Sequence, residues 1–403
     1  MSLLFEPLTL RDVRIRNRIW LSPMCQYACD NTDGLVGDWH LVHYGARAAG
    51  GFGLLLVEAS AIRPDGRITP QCSGLWSDAH AEAWARVVTF GQRQGAAMGV
   101  QLAHAGRKAS TSRAFPGEPA GLLTPDEGGW QVVGPSPVAF DDLATPHELS
   151  TTEIDLLIKD WANAARLADA AGFDVVEIHA AHGYLLHEFY SPLSNLRTDN
   201  YGGAGRTRLL LEVVEAVREV WPERKPLFVR LSVTEWLDHG WSVSDSVALA
   251  AQLRDRGVDL IDCSSGGNAV VEIPTGPGYQ VHLAAAVRET GIPTTAVGLI
   301  TDPQQAEGIL QAGHADAIFL GRRNDHLVDD AAGGADALQG IRSVDHLDPF
   351  KEEGIDRVAI ARSVAHRGGL GNAVNCVKRR AAAQGLAGTG QLLARGGEGR
   401  RKI

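Results

Sequence analysis

Short apolar runs punctuate the chain at a steady rhythm, over residues 18–24, 53–59, 99–103, 174–179, 227–232, 260–264, 294–300 and 317–321. Each is rich in Val, Ile or Leu and does not alternate, which is the pattern of parallel strands buried on both faces. Between them lie amphipathic helical stretches at 40–49, 79–94, 152–171, 207–220, 243–256, 281–290 and 303–312. Ser77-Asp78, Ser150-Thr151-Thr152 and Thr301-Asp302-Pro303 are helix starts, and Gly95, Gly172, Gly257, Gly291 and Gly313 fall where helices should stop. The repeated strand–helix unit predicts an α/β fold, a (β/α)8 TIM barrel. An open doubly wound sheet is the competing arrangement, and the lack of G-x-G-x-x-G after any strand argues against its dinucleotide-binding form.

One stretch, 106–149, breaks the rhythm after the third strand and carries the turns Gly129-Trp130 and Gly134-Pro135. A loop of that length in a compact domain is expected to be functional, and here it would lie on the active face of the barrel. The 403 residues suffice for one large barrel or two ordinary domains, and 44% are apolar. A net charge of −10 argues against a nucleic-acid surface. No run approaches the roughly 18 apolar residues of a membrane helix. The first residues lack the apolar core and cleavage site of a signal peptide. Cys25, Cys29, Cys72, Cys263 and Cys376 are scattered and odd in number, which suits reduced thiols and a cytoplasmic location.

In such barrels, chemistry collects at the C-terminal ends of the strands. The fourth strand delivers His179, His182 and Tyr184 in quick succession, a cluster able to grip a substrate oxygen and hand over a proton. A metal pair at His179 and His182 would need a third ligand, and no carboxylate or Cys is suitably spaced. The first strand ends in Ser22-Pro23-Met24-Cys25-Gln26-Tyr27, the second in Glu58-Ala59-Ser60, and the third contributes Gln101 through Lys108. Small residues and a glutamine amide there suit one face and edge of a flat ring. Arg230 is placed at the end of the fifth strand, where it could hold negative charge. Gly298, Gly321 and Arg322, on the seventh and eighth strands, suit a phosphate, although a glycine after a strand is usually a turn.

Ser-Pro-Met-Cys-Gln-Tyr at 22–27, Gln-Leu-Ala-His-Ala-Gly-Arg-Lys at 101–108, His-Ala-Ala-His-Gly-Tyr-Leu-Leu-His-Glu-Phe at 179–189, Asn-Tyr-Gly-Gly at 200–203 and Ala-Val-Gly-Leu-Ile at 296–300 resemble the old yellow enzyme family. Within it they resemble the thermophilic-like NADPH dehydrogenase, or ene-reductase, branch, over about residues 3–322. The resemblance implies noncovalent FMN, reduction by NADPH or NADH, and hydride delivery to the activated C=C bond of α,β-unsaturated carbonyl or nitro compounds. It implies FMN contacts from Ser22, Pro23, Met24, Cys25, Ala59, Gln101, Arg230, Gly298, Gly321 and Arg322. His179 and His182 would bind the acceptor oxygen, Tyr184 would protonate the α-carbon, and Tyr27 would position the ligand. Small electrophilic alkenes are the expected partners, and the resemblance implies a homo-oligomer, a dimer or tetramer. No metal is implied.

Two departures from the family pattern stand out. The stretch after Tyr201-Gly202-Gly203 is about two residues short, and after Gly321-Arg322 the pattern stops. The reading therefore divides the chain into an FMN-binding barrel, 1–322, and an atypical C-terminal extension, 323–403, with the eighth helix and tail altered. All tryptophans and tyrosines precede residue 280, and beyond Phe319 the sole aromatic is Phe350. A shifted reading frame, an extra segment or a divergent eighth helix would each account for this composition. The alternative function is then a flavin-binding but catalytically impaired protein that retains FMN weakly.

Overall fold

The computed structural model describes residues 2–115 and 121–321. Eight parallel strands close into a barrel. They are β1 (Ile19–Leu21), β2 (Leu54–Ala61), β3 (Ala97–Ala103), β4 (Val175–Ala180), β5 (Leu227–Ser232), β6 (Leu260–Ser264), β7 (Thr294–Ala296) and β8 (Ala317–Leu320). The intervening helices are α1 (Asp38–Ala49), α2 (Asp78–Arg93), α3 (Thr151–Ala170), α4 (Arg208–Val220), α5 (Val243–Asp255), α6 (Val281–Arg288) and α7 (Pro303–Gln311). The predicted barrel is borne out, with element ends within a few residues. Strands β1 and β7 are shorter than their apolar runs. Strand β7 ends early because Gly298 and Leu299 turn with φ of +115° and +50°. Arg322 and the 323–403 extension lie outside the described residues.

Strand periodicity sorts the side chains into layers. Outward-facing Leu55, Met98, Val100, Val176, Ile178, Val229 and Ile318 pack in one core with the helices, which include buried Trp84 and Trp161. Inward-facing Trp20, Leu54, Leu56, Val175, Phe228, Leu260, Ala317 and Phe319 form a second cluster that plugs the barrel. Trp20 stacks on Phe228 and meets Phe319 edge-on. An N-terminal hairpin, Leu8–Leu10 paired with Val13–Ile15, adds Leu10 and Ile15 to this plug. The sequence reading did not foresee that hairpin or the short helix Leu185–Tyr190.

A β-bulge between Val57 and Ala59 resets the alternation of β2. Glu58, which would otherwise follow Leu54 and Leu56 inward, lies 3.0 Å from His40 of α1, and its backbone N–H donates to the Tyr44 hydroxyl. The loop at 106–149 is a tethered cover with a two-residue ladder, Val133–Gly134 against His147–Glu148. Arg197 donates to the Pro135 and Leu149 carbonyls, the Leu196 N–H donates to Ser136, and the Trp130 indole donates to the Asp65 carbonyl.

Candidate active site

Above the apolar plug the barrel interior turns polar. Gln101, Glu177, Arg230 and Asp262 are all buried there. The Gln101 amide donates to Glu177 Oε1 at 2.8 Å. Arg230 Nε lies 3.0 Å from Asp262 Oδ2, an ion pair by distance although off the N–H line, and Thr295 donates to Asp262 Oδ1 at 2.7 Å. Arg230 thus sits inside β5, ahead of Ser232, in a middle layer rather than at the strand end expected from sequence. The alternation of β5 dictates this: Phe228, Arg230 and Ser232 share the inner face.

At the mouth, His179 ends the inward row of β4. The ring of His179 lies 5.2 Å from that of His182 and 5.3 Å from that of Tyr184, both edge-on. Burial first, then the charge of Arg230, holds both imidazoles well below their ordinary range, so each is neutral with one N–H to give. His179 Nδ1 is buried without a partner. Ser264 Oγ lies 2.7 Å from His182 Nε2, and a hydroxyl donating there leaves the proton on Nδ1. Burial drives the Tyr184 phenol upward, so it stays protonated and able to donate.

His182 adopts φ of +61°, a conformation costly for a side chain with a Cβ. The neighbouring chain holds it there. The His182 N–H donates to Ser232 Oγ at 2.9 Å, and Lys108 Nζ donates to the carbonyls of both His182 and Gly267 at 2.9 Å. Lys108 also lies over the rings of Tyr184 and Phe140. Beside it, Arg107 donates to the carbonyls of Val138 and Ala139 in the long loop and to the backbone and side chain of Asn268. Sequence reasoning missed Ser232, Ser264, Gly267 and Asn268, and quoted Lys108 without giving it a role.

The remaining described candidates follow other strands. Ser22 and Met24 follow β1, and Gly321 follows β8, where an added Cβ would sit in ordinary contact 3.6 Å from Met24 Sδ. Cys25 is half-buried, and burial, with Cys72 and Glu58 nearby, pushes its thiol well up. Tyr27 has φ of +50° and meets Phe115 edge-on. Ala59 and Tyr184 line one cavity with Ala61, Ile68, Cys72 and Ala103. Among the described residues, no group of three or more His, Cys, Asp or Glu could hold a metal. No described helix is long and apolar enough to cross a membrane.

A closed parallel barrel whose strand ends gather two imidazoles and a phenol has the site layout of a barrel enzyme. The chain belongs to the NADH:flavin oxidoreductase / NADH oxidase family, which it matches over residues 3–331. It is 47% identical over 323 residues to an NADPH dehydrogenase of Bacillus subtilis (strain 168), covering 79% of this chain and 90% of that protein. Another NADPH dehydrogenase, from Geobacillus thermodenitrificans (strain NG80-2), is 46% identical over 80% of this chain and 90% of its own length. Among solved structures, morphinone reductase in complex with tetrahydroNAD superposes with a TM-score of 0.64 at 30% identity, over 79% of this chain and 86% of that one. The old yellow enzyme homologue from Zymomonas mobilis does so with a TM-score of 0.66 at 29% identity, over 79% and 88%. The old yellow enzyme resemblance is borne out, and the family match runs past Arg322.

The residues present fit FMN. Gln101 Oε1 and the terminal nitrogens of Arg230 make no hydrogen bond among the described residues, leaving an acceptor beside donors for a flat heterocycle. The N–H groups of Gly298 and Leu299 likewise have no acceptor among the described residues. Both are backbone donors of the kind that a phosphate takes.

Proposed function

We propose that this flavin oxidoreductase works as an FMN-dependent NADPH dehydrogenase of the ene-reductase type, with His179, His182 and Tyr184 as its acceptor side. Its substrates are small electrophilic alkenes, α,β-unsaturated carbonyl and nitro compounds. The observation that carries this reading is the cluster of two neutral imidazoles, His179 buried and His182 half-buried, with the half-buried protonated phenol of Tyr184 within ring-contact distance of His179. Ser22, Pro23, Met24, Cys25, Ala59, Gln101, Arg230, Gly298, Gly321 and Arg322 hold the FMN.

FMN, when bound, supplies the hydride chemistry. The chain's own residues do the rest. His179 and His182 donate to the acceptor oxygen, where negative charge grows as the alkene is reduced, so they stabilise the transition state more than the ground state. Tyr184 holds a proton at its hydroxyl for the α-carbon. Tyr27 flanks the bound acceptor. Arg230 lays positive charge along the cofactor's pyrimidine edge. The chain works in the cytoplasm as a homo-oligomer. A flavin-binding but impaired protein is not favoured, because the family and its NADPH dehydrogenase relatives match most of the chain.

The test is the absorbance of the purified chain with added FMN, followed by NADPH oxidation with 2-cyclohexenone. A bound flavin spectrum and acceptor-dependent turnover are expected. Failure to take up FMN, or a loaded protein that oxidises no NADPH with any enone or nitroalkene, overturns the reading.

A further inference from the structure

The polar layer beneath the mouth contains two carboxylates that the proposed reaction does not use. Glu177 and Asp262 are fully buried on the inner faces of β4 and β6. A buried carboxylate pair costs several kcal/mol unless something is gained from it. Each meets a residue assigned to the flavin through the same atom type, a nitrogen. Glu177 Oε1 takes the Gln101 amide nitrogen at 2.8 Å, and Asp262 Oδ2 lies 3.0 Å from Arg230 Nε.

These contacts dictate what faces upward. A glutamine amide offers an oxygen and an NH2, and either could point at a ligand. Glu177 occupies the nitrogen, so the oxygen is left over. An arginine whose Nε lies against the Asp262 carboxylate keeps its two terminal nitrogens free for a ligand. The pair then reads, in order, acceptor and donors.

We propose that Glu177 and Asp262 are positioning residues that fix this polarity, so that Gln101 accepts from N3–H of the isoalloxazine while Arg230 donates to its N1 and C2 carbonyl. The proposal rests on the assignment of Gln101 and Arg230 to the flavin. It adds that the choice is made by their cross-strand neighbours in the same polar layer, Glu177 beside Gln101 and Asp262 beside Arg230. Asp262 has a second effect. Its charge, beside Arg230 on the neighbouring strand, offsets that of the guanidinium and so limits how strongly the protein favours a reduced, negatively charged ring. Burial, together with the charge of Asp262, pushes the Glu177 carboxyl well above its ordinary range, while Arg230 and the Gln101 amide pull it down. A protonated Glu177 still accepts from Gln101 at Oε1.

The test uses the full chain freed of flavin and titrated with FMN and with 3-methyl-FMN, which lacks the N3 proton. The wild type should prefer FMN by tenfold or more. Glu177→Gln, whose amide oxygen still accepts from Gln101, should keep that ratio. Glu177→Met should bring it within threefold of unity, with FMN still bound. A wild-type ratio in folded Glu177→Met overturns the role of Glu177. Gln101→Leu separates the two levels: if it also keeps the wild-type ratio, the assignment of Gln101 to the flavin is what fails. Should Glu177→Met not fold, Glu177→Lys against Glu177→Gln asks the same question, since lysine cannot accept from the amide; an unchanged ratio in Lys overturns the proposal. Asp262→Asn should raise the flavin midpoint by at least a tenfold shift in the reduction equilibrium, about 30 mV for two electrons. An unchanged or lowered midpoint with FMN bound overturns the electrostatic part.

Discussion

Gly267 is where a single methyl group should disturb the acceptor site without replacing any residue that donates to substrate. Its φ is +92°, and a Cβ there would stand 2.6 Å from the Cα and 2.7 Å from the carbonyl carbon of His182. Carbon atoms prefer separations of about 3.5–4.0 Å, so backbone must move by roughly 1 Å. Both partners are main chain, and neither can rotate away. The left-handed conformation alone costs an alanine about 1–2 kcal/mol. With the clash, Gly267→Ala should lower the unfolding free energy by about 2–4 kcal/mol. The displaced backbone carries His182, and a misplacement of about 1 Å costs on the order of 100-fold in rate. The expected outcome is a loss of about 100-fold in kcat/KM for an enone, with FMN still bound because Gln101, Arg230 and Gly298 lie on other strands. Denaturant unfolding, flavin absorbance and steady-state kinetics read the three quantities separately. A variant within threefold of wild type in kcat/KM would show that the Gly267 contact does not position His182.

Tyr184→Phe should slow reoxidation by an enone by about 10²–10⁴-fold while NADPH still bleaches the flavin, followed by stopped-flow absorbance; equal losses in both half-reactions would deny Tyr184 the proton-donor role. Burial pushes the Lys108 ammonium down to about 8. As pH rises through that value the clip on His182 and Gly267 loses its charge, so kcat/KM should fall. Through this group alone the fold should gain stability between about pH 8 and 10.5, where the unfolded chain binds the proton that the native one has shed. Glu188 is pushed up by burial to about 8 as well, so the limb belongs to the neighbourhood. Lys108→Arg should move the limb to higher pH, and a limb that stays put in the pH–rate profile assigns it to Glu188. Cys25→Ala should keep turnover and shift the flavin midpoint, since its buried thiol stays protonated; an inactive variant with FMN bound would make the thiol part of the reaction.

The barrel was legible because each strand is apolar on both faces, and helix stops such as Gly95 and Gly172 take the positive φ that glycine tolerates. The cluster at His179, His182 and Tyr184 was legible because all three come from one strand end. What escaped was assembled across the chain. Ser264 reaches His182 from a strand 82 residues away, and Asn268 reaches Arg107 across 161. No local pattern marks such pairs. Arg230 was misplaced by one layer because an apolar run read as a block hides its alternation. Applying a period of two to β4, β5 and β6 places Glu177, Arg230 and Asp262 on the inner faces below His179, Ser232 and Ser264. The bulge at Val57 and Ala59 breaks that period in β2 and has no signature in sequence.

Arg107 has a consequence for protein engineering. Barrel loops are commonly treated as interchangeable modules, each grafted onto its own strand. Here one guanidinium is shared between the loop after β3, through Val138 and Ala139, and the loop after β6, through Asn268. Exchanging the loop after β6 alone would strip the buried Arg107 of its Asn268 acceptors, and exchanging the loop after β3 alone would leave Asn268 without the guanidinium. The two loops form one heritable unit, and a library that diversifies the substrate mouth should exchange them together.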